Sequence, residues 1–302
     1  MHKPLTMLDG FLLVGGLVAV GLLLQWAVGP VAWDAFAFPV NALVLTAFVA
    51  TIVTVHALRR RVRLFHFLAT GGAAVPALVA AVALTIVMGL MRQDAHGTGM
   101  DHMTAFWPFV LVYAYVALLL GLVVLRRLAD RLAGRSHHSR WQDVAFLLNH
   151  VGLFLTMTTA TLGNADIQRY QMITTLGQTE WRALDDQRRV RELPLAIRLE
   201  RFIMEAYADG SPRRFASEIQ ILTREGRAYA ATVDVNHPVK VAGWKIYQHG
   251  YDTQRGAESE ISILQLVRDP WLPAVYTGIG MMLAGAACLF LFGARRKEKN
   301  AV

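Results

Sequence analysis

The chain has 302 residues, of which 55% are hydrophobic and only 17% are charged, which excludes an ordinary soluble globular protein. Its formal net charge is +8. The basic excess flanks the apolar segments, because residues 164–270 hold 15 basic and 15 acidic residues. The charge therefore indicates a membrane protein attracted to anionic lipid, and it gives no support to nucleic-acid binding.

Apolar segments divide the chain. A transmembrane helix needs about 20 apolar residues. We predict a membrane α-helical protein of about six transmembrane helices: a five-helix region over 1–163, an extracytoplasmic β-rich domain over 164–270 inserted between helices five and six, and a last helix with a basic tail over 271–302. The six segments lie near 11–28, 38–58, 67–91, 105–125, 144–163 and 271–293.

Basic residues predict the orientation, because Lys and Arg are enriched in cytoplasmic loops. Both termini are expected in the cytoplasm and residues 164–270 outside, with only Arg92 on the outer side between helices three and four. The predicted cytoplasmic residues are Lys3; Arg59, Arg60, Arg61 and Arg63; Arg126, Arg127, Arg131, Arg135 and Arg140; and Arg295, Arg296, Lys297 and Lys299.

The first apolar segment has two interpretations, a retained helix or a cleaved secretory signal ending near Ala35-Phe36-Ala37. Its apolar run of about 18 residues exceeds the usual signal core of roughly 7–15 residues, so we expect a retained helix. Asp9 is predicted to cap this helix.

Polar residues interrupt the fifth segment at Asn149 and His150. An ionisable residue inside a membrane segment is costly unless it has a partner or a role. Asn149 shares a small and polar helical face with Gly152 and Thr156, and this face is predicted to pack on other helices. For His150, contact with a haem and a hydrogen bond to another helix both stay open.

Two further histidines, His56 and His66, flank the cytoplasmic ends of helices two and three, and His150 lies in the same half of the bilayer. Low-spin haem takes two axial ligands, which imidazoles on separate helices can supply. We therefore hypothesise that His150, with a second histidine of this chain or a partner, binds haem that arrives from the cytoplasmic side.

Other candidate ligands lie outside the apolar segments. The outer loop 91–103 carries His96, His102, Asp94, Asp101 and several methionines, without the spacing of a specific metal motif. His137 and His138 are expected to be solvated. The single cysteine, Cys288, excludes an internal disulfide, and no Cys-x-x-Cys-His haem attachment site occurs.

The polar domain is predicted to be a small antiparallel β-unit, either a sandwich or a barrel. Residues 192–197, 244–249 and 257–269 are predicted strands, and residues 219–222 and 230–235 form a predicted hairpin. Trp244, Tyr247 and Tyr251 are expected in the core, with an aromatic platform as the alternative. His237 and His249 are minor candidates for transient haem contact.

The most singular stretch runs from Asn236 to Asp252, with Asn-x-Pro followed by Gly-Trp-Lys-Ile-Tyr-Gln and Tyr-Asp. It resembles the ResB (CcsB) family of cytochrome c biogenesis proteins. Residues 268–278, Arg-Asp-Pro-Trp-Leu-Pro-x-Val-Tyr-x-Gly, resemble that family's entry into its last helix. The resemblance is most specific over residues 190–292, and residues 148–152 are compatible with it.

This resemblance implies a subunit of the system II cytochrome c synthetase in the bacterial inner membrane. Such a subunit pairs with a CcsA (ResC)-type protein, moves haem outward and assists its attachment to apocytochrome c. We expect a non-catalytic subunit, because no nucleophile with its base, phosphate-binding glycine loop or zinc spacing occurs. The alternatives are a membrane scaffold that does not bind haem and a b-type electron-transfer subunit.

Overall fold

A computed structural model describes residues 4–94, 97–136, 138–209 and 211–293. The chain forms two compact units, one of Met1–Ala165 with Trp271–Val302 and one of Asp166–Pro270. Some residues named in the sequence analysis lie outside the described residues. They are Lys3, His96, His137, Arg295, Arg296, Lys297 and Lys299.

The first unit is helical. Among the residues that the structure describes, six helices are long and apolar enough to cross a membrane, so the chain is a multi-pass membrane protein. The predicted spans are confirmed, although the fourth continues to Leu132 and the fifth begins at Arg140. Helices α1 to α7 cover Met7–Val28, Val40–Leu58, Arg63–Leu68, Gly71–Leu90, Trp107–Leu132, Arg140–Gly163 and Leu272–Gly293.

The third predicted span is wrong at its start. Residues 67–68 belong to the short helix α3, and the membrane helix α4 begins only at Gly71. The N–H and the hydroxyl of Thr70 both donate to the carbonyl of Phe67, at 2.9 and 2.7 Å. Thr70 is extended, so its backbone separates the two helices instead of joining them.

Helix α1 also begins earlier than predicted. Its N-cap is Thr6, and Asp9 lies inside the first turn rather than at the cap. The Asp9 carboxylate accepts a hydrogen bond from the Thr6 N–H at 2.6 Å and from the Thr6 hydroxyl at 2.9 Å. Asp9 therefore supports the helix start from the position that a capping box gives to an acidic residue.

The second unit is an eight-stranded antiparallel sheet in the order β5-β4-β3-β2-β1-β8-β7-β6. Its edge strand β5 contacts β6 and β7 at the other edge, so the sheet is barrel-like. The predicted strands and hairpin are confirmed, except that residues 256–258 form a short 3-10 helix and the last strand begins only at Ile261. Strands β1, β2 and β6 were not predicted. Strands β1 to β8 cover Gln168–Thr175, Thr179–Leu184, Val190–Ala206, Pro212–Thr223, Ala228–Asp234, Val239–Val241, Trp244–Tyr251 and Ile261–Arg268.

The singular stretch forms the hairpin of β6 and β7. Ala242 and Gly243 connect Val241 to its partner Trp244, and both have positive φ, +48° and +81°. Two consecutive positive φ angles are typical of the tight turn whose twist matches that of paired strands, and they explain the glycine before Trp244.

The interior of the β-unit contains alternate residues of β7. Trp244, Ile246 and Gln248 are buried, as the predicted alternation requires. Trp244 is 2% exposed and contacts Tyr170, so it belongs to the core, and the platform alternative is wrong for this residue. Tyr251 packs against Phe202 and Phe215, with ring centres 5.1 Å away in each case.

The core position of Ile246 generates a stability prediction. Ile246 is fully buried, whereas Val190 on β3 is 64% exposed. We expect Ile246→Ala to lower the free energy of unfolding of the β-unit by about 2–5 kcal/mol, because it leaves a cavity. Val190→Ala is the control and should change it by about 0.5 kcal/mol or less. Pulse proteolysis of the detergent-purified protein in urea measures both, and equal midpoints would contradict the assignment of Ile246 to the core.

Candidate functional site

His150 lies on α6 and has one defined hydrogen bond. Its ring Nδ1 is 2.8 Å from the carbonyl oxygen of Phe146, one turn earlier. Because a carbonyl oxygen can only accept, Nδ1 carries the proton in this contact, and in the neutral imidazole Nε2 is then the nitrogen with the free lone pair. The ring is thus oriented by its own helix, in the way that backbone carbonyls orient metal-binding histidines.

An apolar groove lies beside this ring. The groove has a volume of about 240 Å³ and is formed by α4, α5 and α6. We call it the His150 groove. Apart from His150, the named lining residues are apolar, so the imidazole is the polar group that the groove presents. They include Ala74, Ala77 and Leu78 of α4, Leu119 and Val123 of α5, and Leu153 of α6.

Phe146 connects His150 to a charged cluster. The rings of Phe146 and His150 are stacked, with centres 3.8 Å apart and planes inclined by 20°. The guanidinium carbon of Arg127, on α5, lies 4.9 Å from the centre of the Phe146 ring. A guanidinium over an aromatic face is favourable, so Arg127 helps to hold Phe146 and through it the imidazole.

Arg127 is in turn held by a buried carboxylate. Asp143 is 3% exposed, and its Oδ1 lies 2.7 Å from Arg127 Nε in an ion pair without hydrogen-bond geometry. Its Oδ2 accepts hydrogen bonds from Ser136 Oγ at 2.8 Å and Arg131 at 3.3 Å. Asp143 therefore ties the end of α5, the following loop and the start of α6 together.

A basic cavity lies next to the His150 groove. It has a volume of about 370 Å³, and Val123 lines both spaces. We call it the arginine cavity. Phe146 lines it too, so the stacked pair stands between the apolar and the basic space. Its charged lining residues are Arg126, Arg127, Arg135, His138 and Asp130.

The other two predicted haem ligands lie elsewhere. His66 lines a separate cavity near the end of α2, and His56 lines neither that cavity nor the His150 groove. Nδ1 of His56 is buried and has no hydrogen-bond partner among the described residues. The structure does not bring His56, His66 and His150 into one cavity, and their roles as ligands stay predictions.

The Asn149 face packs as predicted. A Cβ atom added at Gly152 would meet the Gly278 carbonyl oxygen at 2.5 Å, and one added at Gly285 would meet the Asn149 side chain at 2.5 Å. Asn149 and Gly152 therefore contact α7 closely, and the glycines at these contacts allow the two helices to approach. His150 is on a different side of the same helix.

The outer-loop candidate His102 lines a fourth space. This cavity has a volume of about 430 Å³, and its walls include Trp33, Met88, Phe109 and Tyr113. Nδ1 of His102 is 3.3 Å from the Gly97 carbonyl. No group of three or more His, Cys, Asp or Glu residues within the described ranges is arranged to hold a metal ion.

The histidines of the β-unit are exposed. The ring of His237 contacts the Val235 carbonyl at 3.2 Å, and the ring of His249 contacts the Gln171 amide at 3.3 Å. Neither residue lines a described cavity, and their transient haem role also stays a prediction.

Sequence reasoning missed two parts of the site. It used the arginines at 126, 127 and 135 only for orientation, and it did not single out Asp143 or the stacking role of Phe146. One signal was present, because Phe146 and His150 are four residues apart and therefore adjacent on a helix. The partner of Asp143 had no comparable local signal.

Comparison with known proteins supports the resemblance found in the sequence. Residues 129–261 match the ResB-like family. The resemblance to ResB is confirmed. The ResB-like region contains Asp143, His150 and the singular stretch, whereas residues 268–278 lie beyond it.

Curated relatives carry the name Cytochrome c biogenesis protein CcsB. The protein of Synechococcus sp. strain RCC307 is 32% identical over 127 residues, which are 41% of this chain and 27% of the relative. The protein of Prochlorococcus marinus strain MIT 9303 is 29% identical over 136 residues, 39% of this chain and 31% of the relative. That of Prochlorococcus marinus subsp. pastoris is 26% identical over 103 residues, 34% and 23% of the two chains. The chain thus matches less than a third of each relative's length.

Among solved structures, Cytochrome c Heme Lyase CcmF aligns with 72% of this chain and 38% of its own, with a TM-score of 0.36 and 15% sequence identity.

The buried carboxylate of the ResB-like region generates a second prediction. Asp143→Asn leaves Arg127 without its counterion and should lower the free energy of unfolding by about 3 kcal/mol. Asp130→Asn is the matched control, since Asp130 is 34% exposed and pairs with Arg135 at 3.3 Å. Such a pair contributes about 1 kcal/mol or less. Thermal unfolding in detergent compares the two variants, and an equal fall in Tm would show that Asp143 has no special structural role.

Proposed function

We propose that this ResB-like protein handles haem in a cytochrome c synthetase of the system II type. In this proposal it holds haem transiently at the His150 groove and, with a CcsA-type partner, assists haem transport across the membrane and attachment to apocytochrome c. The observation that carries the proposal is the apolar groove at His150 directly beside the arginine cavity.

The donor set fits the chemistry of haem. Haem combines a flat apolar ring, an iron that accepts imidazole nitrogen, and carboxylate side groups. The His150 groove offers apolar walls and an imidazole whose Nε2 keeps its lone pair. Arginine guanidinium groups, which line the neighbouring cavity, match carboxylates in charge and geometry.

The size of the groove favours transient binding. At about 240 Å³ it is smaller than the roughly 300–1,000 Å³ of most ligand sites, so it would cover only part of a macrocycle. The rest of the ring would then contact lipid or the CcsA-type partner. The second ligand to the iron would come from the partner, because His66 lines a different cavity. Partial enclosure is suited to a protein that passes its cargo on.

The same proposal gives a location. The basic residues between α2 and α4 and between α5 and α6 favour the cytoplasmic side for these loops. The termini would then be cytoplasmic, and the β-unit would be extracytoplasmic, where apocytochrome c is matured. The membrane would be the bacterial inner membrane.

A scaffold that assembles the synthetase without binding haem is the second candidate. It is favoured by the separation of His66 and His150, which line different cavities. A b-type electron-transfer subunit would need two ligands on one tightly held haem, which this separation does not support.

A visible spectrum tests the haem proposal. The full chain is purified in detergent, alone and co-expressed with a CcsA-type partner, and measured before and after dithionite. We expect a haem band that increases with the partner and falls at least fivefold in His150→Ala, because an axial ligand is lost. His237→Ala, in the β-unit, is the control and should retain the band.

Two outcomes would count against haem handling by His150. A full haem band in His150→Ala would exclude His150 as a ligand, and parallel His56→Ala and His66→Ala variants would then identify the residue concerned. A stable complex without haem in every preparation would favour the scaffold function.

A further inference from the structure

A second basic cavity lies where α2 ends and α3 begins. It has a volume of about 610 Å³, within the range of ligand sites. We call it the corner cavity. It is formed by the N-terminal segment and the connection between the two helices. Its named lining residues are Pro4, Leu5, Arg59, Arg60, Arg61, Val62, Arg63, His66, Phe67 and Thr70.

The corner cavity differs from the arginine cavity in its charge. The arginine cavity contains Asp130 among its lining residues, and Asp143 pairs with its Arg127. Within the described part of the chain, no Asp or Glu lines the corner cavity. Arg60 and Arg61 place two exposed like charges side by side, so an anion between them would lower the energy of the folded chain.

The backbone already positions part of this cluster. One guanidinium nitrogen of Arg59 donates to the carbonyl of His56 at 2.9 Å, near the last turn of α2. Arg60 and Arg61 are exposed and follow the helix end directly. Arg59 is thus held by the end of the helix, whereas the side chains of Arg60 and Arg61 remain accessible to a ligand.

The position of the cavity points to an amphiphilic ligand. Leu58 ends a membrane-spanning helix, and the arginines follow it at once, where the hydrocarbon region gives way to headgroups. Leu5 and Val62 line the cavity and are exposed. The phosphate group of a lipid would contact the arginines, and its acyl chain would contact Leu5 and Val62. A free phosphate ion would use only the arginines.

We propose that the corner cavity binds the phosphate group of an anionic phospholipid. The site is separate from the His150 groove, because the groove and the corner cavity share no lining residue, although the predicted haem ligand His66 lies in the corner cavity. A phosphodiester accepts bidentate hydrogen bonds from guanidinium groups, which explains arginine rather than lysine at these positions. Bound lipid would join the N-terminal segment to the end of α2.

Native mass spectrometry and thermal unfolding of the full chain in neutral detergent test the proposal. The ligands are phosphatidylglycerol, phosphatidylcholine and inorganic phosphate. We expect one phosphatidylglycerol to be retained and to raise Tm, since a ligand of the folded state stabilises it. Phosphatidylcholine and inorganic phosphate should have little effect.

The variants assign the binding to the corner cavity. Arg60→Gln with Arg61→Gln should weaken phosphatidylglycerol binding by about tenfold or more, as expected for the loss of two basic contacts at a membrane surface. Arg224→Gln with Arg227→Gln removes the same charge from the hairpin of the β-unit and should leave binding unchanged. The single variants Arg60→Gln and Arg61→Gln, each with a smaller loss, provide the test if the double variant fails to fold.

Three results would overturn the proposal. Equal phosphatidylglycerol affinity in the wild type and the Arg60/Arg61 variant would exclude the corner cavity. An equal loss in the Arg224/Arg227 control would show unspecific attraction by net charge. An equal rise in Tm with inorganic phosphate would identify a free anion, not a lipid, as the ligand.

Discussion

The candidate site depends on the ion pairs that the buried carboxylate of Asp143 forms with Arg127 and Arg131. It lies at the start of α6 and contacts arginines of α5, so it fixes how these helices meet. A carboxylate with 3% exposure is retained only because cations and a hydroxyl surround it. Arg127 transmits this order to Phe146, and Phe146 to the ring of His150. An electrostatic contact near the start of α6 thus helps to orient an imidazole about two turns further along the same helix.

Helix α6 serves two purposes on two faces. Consecutive residues of an α-helix point about 100° apart, which separates Asn149 from His150. The Asn149 face is small and packs closely on α7, so it gives rigidity. The His150 face meets the apolar groove with α4 and α5. Because the Asn149 face already fixes α6 against α7, the His150 face can leave space for a ligand without loosening the helix.

The sequence predicts local periodicity well and long-range pairing poorly. Apolar length was sufficient for the six spans, and alternation at Trp244 and Ile246 was sufficient for a half-buried strand. The break at Thr70 was missed because hydropathy does not register a backbone turn between apolar residues. His56, His66 and His150 were grouped by depth alone, and depth does not determine which helices are neighbours. Asp143 was missed because its cations lie on another helix.

The close contact between α6 and α7 also constrains biogenesis. These two helices are neighbours in the membrane unit, yet the whole of Asp166–Pro270 separates them in the chain. During synthesis α6 therefore enters the bilayer long before α7 exists, with its glycine and asparagine face still without its helix partner. The membrane unit is completed only after the ribosome has made all of the β-unit. In that interval the Asn149 amide can keep its hydrogen bond to the Ala145 carbonyl of its own helix, so this contact does not depend on α7.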